Sequence, residues 1–267
     1  MNRRRNILMA ALGAVLIVMP VAAVDIIAHR GASFDAPENT VAAARLAWQQ
    51  HADAVELDVH LSQDGKLIVL HDDSLKRTAG VAKKVSETTF AEIAALEAGG
   101  WKDARWRGEK IPTLDAMLAT VPAGKRIFIE VKCGPEGLDE LAAALQRSKL
   151  KPAQTAIISF KYDVVKQARK RFPEREVCWI ADFKLGVSGD WQPTIAHLIK
   201  QAKAAKLDGL DLGYRGPLDA TTAKEIKDAG LKLYVWTVDA AEDARRLRDL
   251  GVDGITTNRP GWLREQL

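Results

Sequence analysis

Between residues 54 and 61 every second side chain is apolar: Val55, Leu57, Val59 and Leu61. The positions between them carry Glu56, Asp58 and His60. A period of two is the pattern of a strand with one buried face. It returns at 126–132, where Ile127, Ile129 and Val131 alternate with Phe128, Glu130 and Lys132. The chain contains nine runs expected to be strands: Asp25–His29, Ala54–Ser62, Lys66–His71, Arg126–Lys132, Ala156–Phe160, Glu176–Ala181, Gly209–Gly213, Lys232–Val238 and Gly254–Thr257. Between most of them lie amphipathic stretches with helical spacing. Thr40–Gln50, Leu138–Arg147, Tyr162–Arg171, Thr194–Ala205, Ala220–Ala229 and Ala240–Leu250 are the clearest.

Strand-helix alternation implies parallel strands joined by crossover helices. One pair is an exception. Only Gln63-Asp64-Gly65 or less separates Ala54–Ser62 from Lys66–His71, too short for a parallel crossover. Asp-Gly between alternating runs is a hairpin signal. With that antiparallel arm set aside, eight parallel strands remain, which predicts an α/β fold of the (β/α)8 TIM-barrel class. A doubly wound open sheet is the rival, but it usually has a Gly-rich phosphate loop after its first strand. Here that strand ends in His29-Arg30-Gly31. Residues 73–112 fit no barrel helix and read as a small insertion over the barrel mouth. The second barrel helix is expected near Thr113.

A two-residue Asp64-Gly65 turn would set Ser62 opposite Leu67, His60 opposite Val69 and Asp58 opposite His71. Opposed side chains lie about 4.5–5.5 Å apart at Cβ. Glu56, Asp58 and His71 are therefore expected to converge. The C-terminal strand ends of a barrel form its catalytic face. Those of the first, second and third parallel strands supply His29, Arg30, Glu56, Asp58, Glu130 and Lys132, and the hairpin arm adds His71. Buried carboxylates need a cation, protons or hydrogen bonds. Three together suggest one hard divalent cation, Ca2+ or Mg2+, rather than zinc. Arg30 and Lys132 suit a bound phosphate, and two histidines suit general acid and base. The set reads as metal-assisted phosphoryl transfer to water. A structural salt-bridge network is the alternative. His60 is expected to be structural, and Trp236 could be core. Asp211 reads as a strand-end hydrogen-bonder, Asn39-Thr40 as a helix N-cap region, and Asn258 as the start of the last helix. His51 and His197 read as surface or packing residues.

Composition refines this reading. The 267 residues are 47% hydrophobic and 28% charged, ordinary for one globular core. Residues 1–23 look different: Arg3, Arg4 and Arg5 precede an apolar run from Ile7 to Val21, and Val21-Ala22-Ala23 suits a signal peptidase. Cleavage there leaves residues 24–267 as the barrel domain, exported to the periplasm or secreted, with no stable membrane anchor. Losing the three arginines lowers the formal net charge from +4 to +1. The basic balance then gives no argument for nucleic acid. Cys133 and Cys178 are expected as free thiols on non-neighbouring strands. Oligomeric state is left open.

The motifs resemble the glycerophosphodiester phosphodiesterase family. The matching stretches are "AHRGASFDAPENT" (28–40), "VELDVHLSQDGKLIVLHDDSLKRT" (55–78), "IPTLDAML" (111–118), "FIEVK" (128–132), "VWTVD" (235–239) and "GVDGITTNRP" (251–260). The resemblance implies a TIM barrel that hydrolyses small glycerophosphodiesters to sn-glycerol 3-phosphate and an alcohol such as choline or ethanolamine. It implies Glu56, Asp58 and Glu130 as metal ligands and His29 and His71 as the acid/base pair. Arg30 and Lys132 would hold the phosphate, and Trp236 would pack against glycerol. It also implies attack by the glycerol hydroxyl, with a cyclic phosphate opened by water. The acid and base are not assigned by the motifs; His29 as base and His71 as acid is the working choice. Cys133-Gly134-Pro135-Glu136-Gly137 departs from the short polar loop of many members, which bears on substrate preference. Two rivals remain. Sphingomyelinase-D-like phospholipases share such a site, and Trp101 and Trp106 would suit their lipids. A non-catalytic phosphodiester-binding barrel is the other.

Overall fold

The computed structural model describes residues 24–267; the leader expected in residues 1–23 lies outside them. Among the described residues there are eleven strands: β1 (Asp25–Ala28), β2 (Ala54–Leu61), β3 (Leu67–Val69), β4 (Arg126–Val131), β5 (Thr155–Ser159), β6 (Glu176–Ala181), β7 (Lys184–Leu185), β8 (Trp191–Gln192), β9 (Gly209–Gly213), β10 (Lys232–Trp236) and β11 (Gly254–Thr257). Eight of them pair in parallel in the order β1, β11, β10, β9, β6, β5, β4, β2, and β2 pairs again with β1. The sheet is closed into a (β/α)8 barrel. The strands β7 and β8 form a small separate hairpin that the alternation of apolar and polar residues does not predict.

Side-chain parity sorts the strand residues as expected. Val55, Leu57 and Val59, with Ile127, Ile129 and Val131, belong to one large buried cluster shared with helix residues such as Ala44, Ala47, Leu141 and Leu145. The inward positions Ile27, Ala54, Phe128, Ala156, Cys178 and Tyr234 form a second cluster inside the barrel. Phe128 and Tyr234 meet edge to face at 5.1 Å. Below them Arg126 pairs with Glu176 at 2.8 Å, and the Tyr234 hydroxyl donates to Glu176 at 2.6 Å. The barrel is therefore filled at this end, and its cavity opens at the C-terminal strand ends. Cys133 and Cys178 are free.

The hairpin differs from expectation by one residue. Leu61 faces Leu67, His60 faces Ile68 and Val59 faces Val69. The loop has three residues, Gln63–Gly65, closed by the Ser62 N–H donating to the Lys66 carbonyl at 2.8 Å. Gly65 takes φ +76°, the left-handed residue that completes this loop class. The Ser62 hydroxyl also donates to Asp64 at 2.7 Å. Local turn chemistry thus selects the longer loop. Asp58 is not opposite His71; its carbonyl accepts from Leu70 N at 3.0 Å.

Residues 73–112 form the insertion, with helices at Lys76–Ala79 and Phe90–Ala95. They build a satellite core from Leu75, Val85, Ile93, Ala98 and Ile111 on Ile68 and Leu70 of the hairpin arm. Thr113 caps the next helix, Leu114–Leu118, where one was expected. Lys102 and Arg105 tie the insertion to the rim at the carbonyls of Ser33 and Asp35.

Gly31 positions the rim. It takes φ +82°, and a Cβ built there would lie 2.6 Å from the Ala43 carbonyl carbon. Gly65 is also left-handed but has open space around it. Gly65→Ala is expected to cost roughly 1 kcal/mol from backbone strain alone. Gly31→Ala adds an immovable backbone clash and should cost about 3 kcal/mol or more. Urea unfolding of the two variants checks this; equal midpoints would refute the close-approach argument.

Candidate active site

Parallel pairing of β2 with β4 sets Asp58 beside Glu130 and Glu56 beside Phe128. Glu56 lies two residues before Asp58 on the same inward face. One oxygen from each of Glu56, Asp58 and Glu130 lies within 4.8 Å of the others, and all three side chains are buried. The expected carboxylate cluster is therefore present. A cavity of about 120 Å³ opens onto it. Seven of the eight sequence-predicted residues line that cavity: His29, Arg30, Glu56, His71, Glu130, Lys132 and Trp236. Asp58 lies directly behind, 1% exposed.

Two cations share this cluster. Lys132 Nζ lies 3.1 Å from Asp58 and 2.7 Å from Glu130. Arg30 Nε lies 3.4 Å from Asp58, and its backbone N–H donates to Glu56 at 2.9 Å. Arg30 reaches this geometry through a left-handed backbone, φ +56°. Asn39, also left-handed and buried, donates to Asp58 at 2.8 Å. Burial would raise Asp58, but Lys132 and Arg30 outweigh it and hold its carboxyl low. Glu56 goes the other way: burial, then Asp58 and Glu130, push it well above the ordinary range. Burial and then Asp58 push Glu130 up to about 7. Two cations do not satisfy three buried carboxylates.

The two histidines are held by different chemistry. His29 follows β1, and its Nδ1 lies 2.7 Å from Asn258 Oδ1. Asn258 Nδ2 donates to Asp239 at 2.6 Å, which fixes the amide orientation because a carboxylate only accepts. The His29 proton therefore sits on Nδ1, leaving Nε2 as an acceptor. Burial, and secondarily Arg30, push this imidazole down to about 4. His71 follows β3, where the chain leaves the ladder. Its Nδ1 lies 2.8 Å from Asp72 Oδ1. Arg77 grips Asp72 at 2.8 Å and Glu38 at 2.8 Å. Arg77, then His71, hold the Asp72 carboxyl far below its usual range. His60 is structural, as expected: its Nε2 lies 3.0 Å from the His71 carbonyl.

The facing wall carries Ile158, Phe160, Ile180, Asp211 and Trp236. Trp236 stands edge to face with Phe160 at 5.5 Å and donates to the Asp211 carbonyl at 3.2 Å. Two sequence expectations change here, for Asn258 and Asp211, and the expected N-cap region at Asn39-Thr40 is present with a second role added. Asn258 does not begin the last helix, which spans Pro260–Gln266; it orients His29. In Asn39-Thr40 the cap is Thr40, which accepts from Ala43 N at 3.1 Å, while Asn39 serves Asp58. Asp211 is no strand-end hydrogen-bonder: its Oδ1 is buried without a partner on the cavity wall. The bracing residues Glu38, Asn39, Asp72, Arg77, Asp239 and Asn258 all fall within the quoted motifs. Asp211 and Phe160 do not.

Residues 29–262 match the glycerophosphoryl diester phosphodiesterase family. A glycerophosphodiester phosphodiesterase of Bacillus subtilis is 34% identical over 251 residues, covering 88% of this chain and 83% of that one. One from Caldanaerobacter subterraneus subsp. tengcongensis is 33% identical over 245 residues, covering 89% and 95%. Among solved structures, a phosphodiesterase of Oleispira antarctica in complex with the product sn-glycerol 3-phosphate superposes with a TM-score of 0.82 at 28% identity, covering 91% and 96%. The barrel, the carboxylate cluster between two histidines and these likenesses agree, and the chain belongs to the glycerophosphoryl diester phosphodiesterase family, whose members are phosphoric diester hydrolases.

Proposed function

We propose that this enzyme hydrolyses small glycerophosphodiesters to sn-glycerol 3-phosphate and an alcohol, with one divalent cation, Ca2+ or Mg2+, held by Glu56, Asp58 and Glu130. The observation that carries the cation is the convergence of three buried carboxylates, Glu56, Asp58 and Glu130, with one oxygen of each within 4.8 Å of the others. The donor set is all oxygen, which fits a hard cation. When bound, the cation would polarise the phosphoryl group and offset charge developing on it. Lys132 and Arg30 border the same space and orient the phosphate. His29 acts as general base: it is neutral, with Nε2 free to accept a proton from the attacking hydroxyl. His71 acts as general acid, its ring oriented by Asp72, and protonates the departing oxygen. Trp236 packs against the glycerol carbons. The basic, apolar leader supports export as the route to substrate. Among the described residues no helix is long and apolar enough to cross a membrane.

Glycerophosphocholine is the first substrate to test. Release of glycerol 3-phosphate should stop with EDTA and resume with Ca2+ or Mg2+. Turnover indifferent to chelation would remove the cation from the mechanism. Cleavage of sphingomyelin or lysophosphatidylcholine in preference would point to the lipid-directed rival.

His71→Ala should lower kcat by about 10²-fold or more with KM within a few fold. A kcat within tenfold of wild type would end its acid/base role.

Cation binding near pH 7 should release protons, because Glu130 is pushed up to about 7 and Glu56 is also pushed well above its ordinary range. Affinity should weaken as pH falls and these groups keep their protons. Calorimetry in two buffers of different ionisation enthalpy reads the release. Glu56→Gln should reduce affinity, and unchanged stoichiometry and affinity there would favour a purely structural ion network.

A further inference from the structure

The cavity has two unlike walls. In the closed strand order β9 is four strands from β2 in either direction, so the two face each other across the barrel. The β1, β2 and β4 side carries Arg30, Glu56, Glu130 and Lys132. The opposite side is largely apolar, formed by Ile158, Phe160, Ile180 and Trp236. Asp211, central in β9, interrupts it. It is 4% exposed, lines the cavity, and its Oδ1 has no hydrogen-bond partner. It stands outside the three-carboxylate cluster and makes no ion pair with Arg30 or Lys132.

A buried polar group without a partner is uncommon and calls for one. Burial, and then Glu130, push Asp211 up to about 8, so near neutrality it carries a proton. A neutral carboxyl offers one donor and one acceptor. That pair complements a hydroxyl. It does not suit a phosphate, which seeks cations, nor a quaternary ammonium, which seeks an anion and has no N–H to give. Trp236 lies beside it, with its indole N–H on the Asp211 carbonyl. One face of a polyol could therefore meet an aromatic ring while a hydroxyl meets the carboxyl. We propose that Asp211 is a specificity-determining residue that hydrogen-bonds a glycerol hydroxyl of the substrate, across the cavity from the phosphate-binding wall. This rests on the function proposed above.

The test compares sn-glycerol 3-phosphate with n-propyl phosphate, which keeps the phosphate and the carbon chain but lacks both hydroxyls. Binding is measured by calorimetry in the presence of the cation that supports turnover. Wild type should prefer the glycerol compound. In Asp211→Leu, which fits a wall of Ile158 and Ile180, that preference should fall by about tenfold or more. KM for glycerophosphocholine should rise about tenfold, with kcat within threefold. Asp211→Asn, which keeps a donor and an acceptor, should stay within about threefold of wild type in both readings. Far-UV circular dichroism and cation binding read by calorimetry report whether each variant is folded, and Asp211→Ala replaces the leucine variant if it is not. A loss of preference below threefold in a folded apolar variant overturns the inference while leaving the enzyme's function intact. A rise in KM for glycerophosphocholine without any change in glycerol 3-phosphate binding would place the choline end, not glycerol, at Asp211 and also overturn it. Wild-type protein that neither binds glycerol 3-phosphate nor cleaves glycerophosphocholine would instead refute the functional reading itself.

Discussion

Three carboxylates buried within 4.8 Å of one another are the constraint around which this barrel is organised. Burying even one unpaired carboxylate is costly, and like charges at this distance raise the cost further. The protein answers with two cations and a dipolar shell. Lys132 bridges Asp58 and Glu130, Arg30 reaches Asp58, and Asn39 donates to Asp58. These partners concentrate on Asp58. Glu56 receives only the Arg30 backbone N–H among the hydrogen bonds described, and it is pushed well above its ordinary range. The unequal sharing explains the local backbone. Arg30 and Asn39 both take left-handed φ, and Gly31 between them accepts close contact with Ala43. The rim between the first strand and its helix is shaped to bring donors onto a cluster that ordinary geometry would leave unanswered.

The histidines show how position divides similar side chains into different tasks. His29 is deep, its partner is a neutral amide, and burial with Arg30 outweighs the support that Asn258, Asp58 and Glu38 give an imidazolium. His71 is more exposed, and its partner is a carboxylate locked by Arg77. Asp239 does for His29, through Asn258, what Arg77 does for His71 through Asp72: each secures the residue that secures the ring. Exposed ion pairs contribute little to stability, so the Glu38–Arg77–Asp72 chain is better understood as orientation than as adhesion.

Much of this was readable in the sequence because a strand's period is two. Once Val55, Leu57 and Val59 are assigned to the helix layer, Glu56 and Asp58 must point inward, and the same logic applies to Glu130. Closure into eight strands followed from alternation alone. The hairpin register was less legible. Asp64-Gly65 permits a two-residue turn, but the Ser62 hydroxyl and a left-handed Gly65 support a three-residue one, and a shift of one residue follows. His71 still reaches the cavity because it lies beyond the last paired residue and is released from strand parity. Asp211 was the least legible. "GLDLG" has the same alternation as a dozen ordinary strands, and only the absence of a partner at Oδ1, a three-dimensional fact, distinguishes it.

That asymmetry has a physical root. The charged wall must satisfy strong, mutually dependent interactions, so its residues come with recognisable neighbours: histidine with arginine and glycine, glutamate two before aspartate, glutamate two before lysine. The facing wall answers to weaker forces. Ile158, Phe160, Ile180 and Trp236 need only fill space and exclude water, which many apolar residues can do. A single polar group on such a wall therefore acts almost alone. Its desolvation is not shared with a network, and it can find a partner only from the cavity side. The reaction type is accordingly written into the crowded β1–β2–β4 side, where motifs are dense. Recognition of the glycerol moiety, on the proposal above, falls to the sparse side, where one carboxyl meets one hydroxyl.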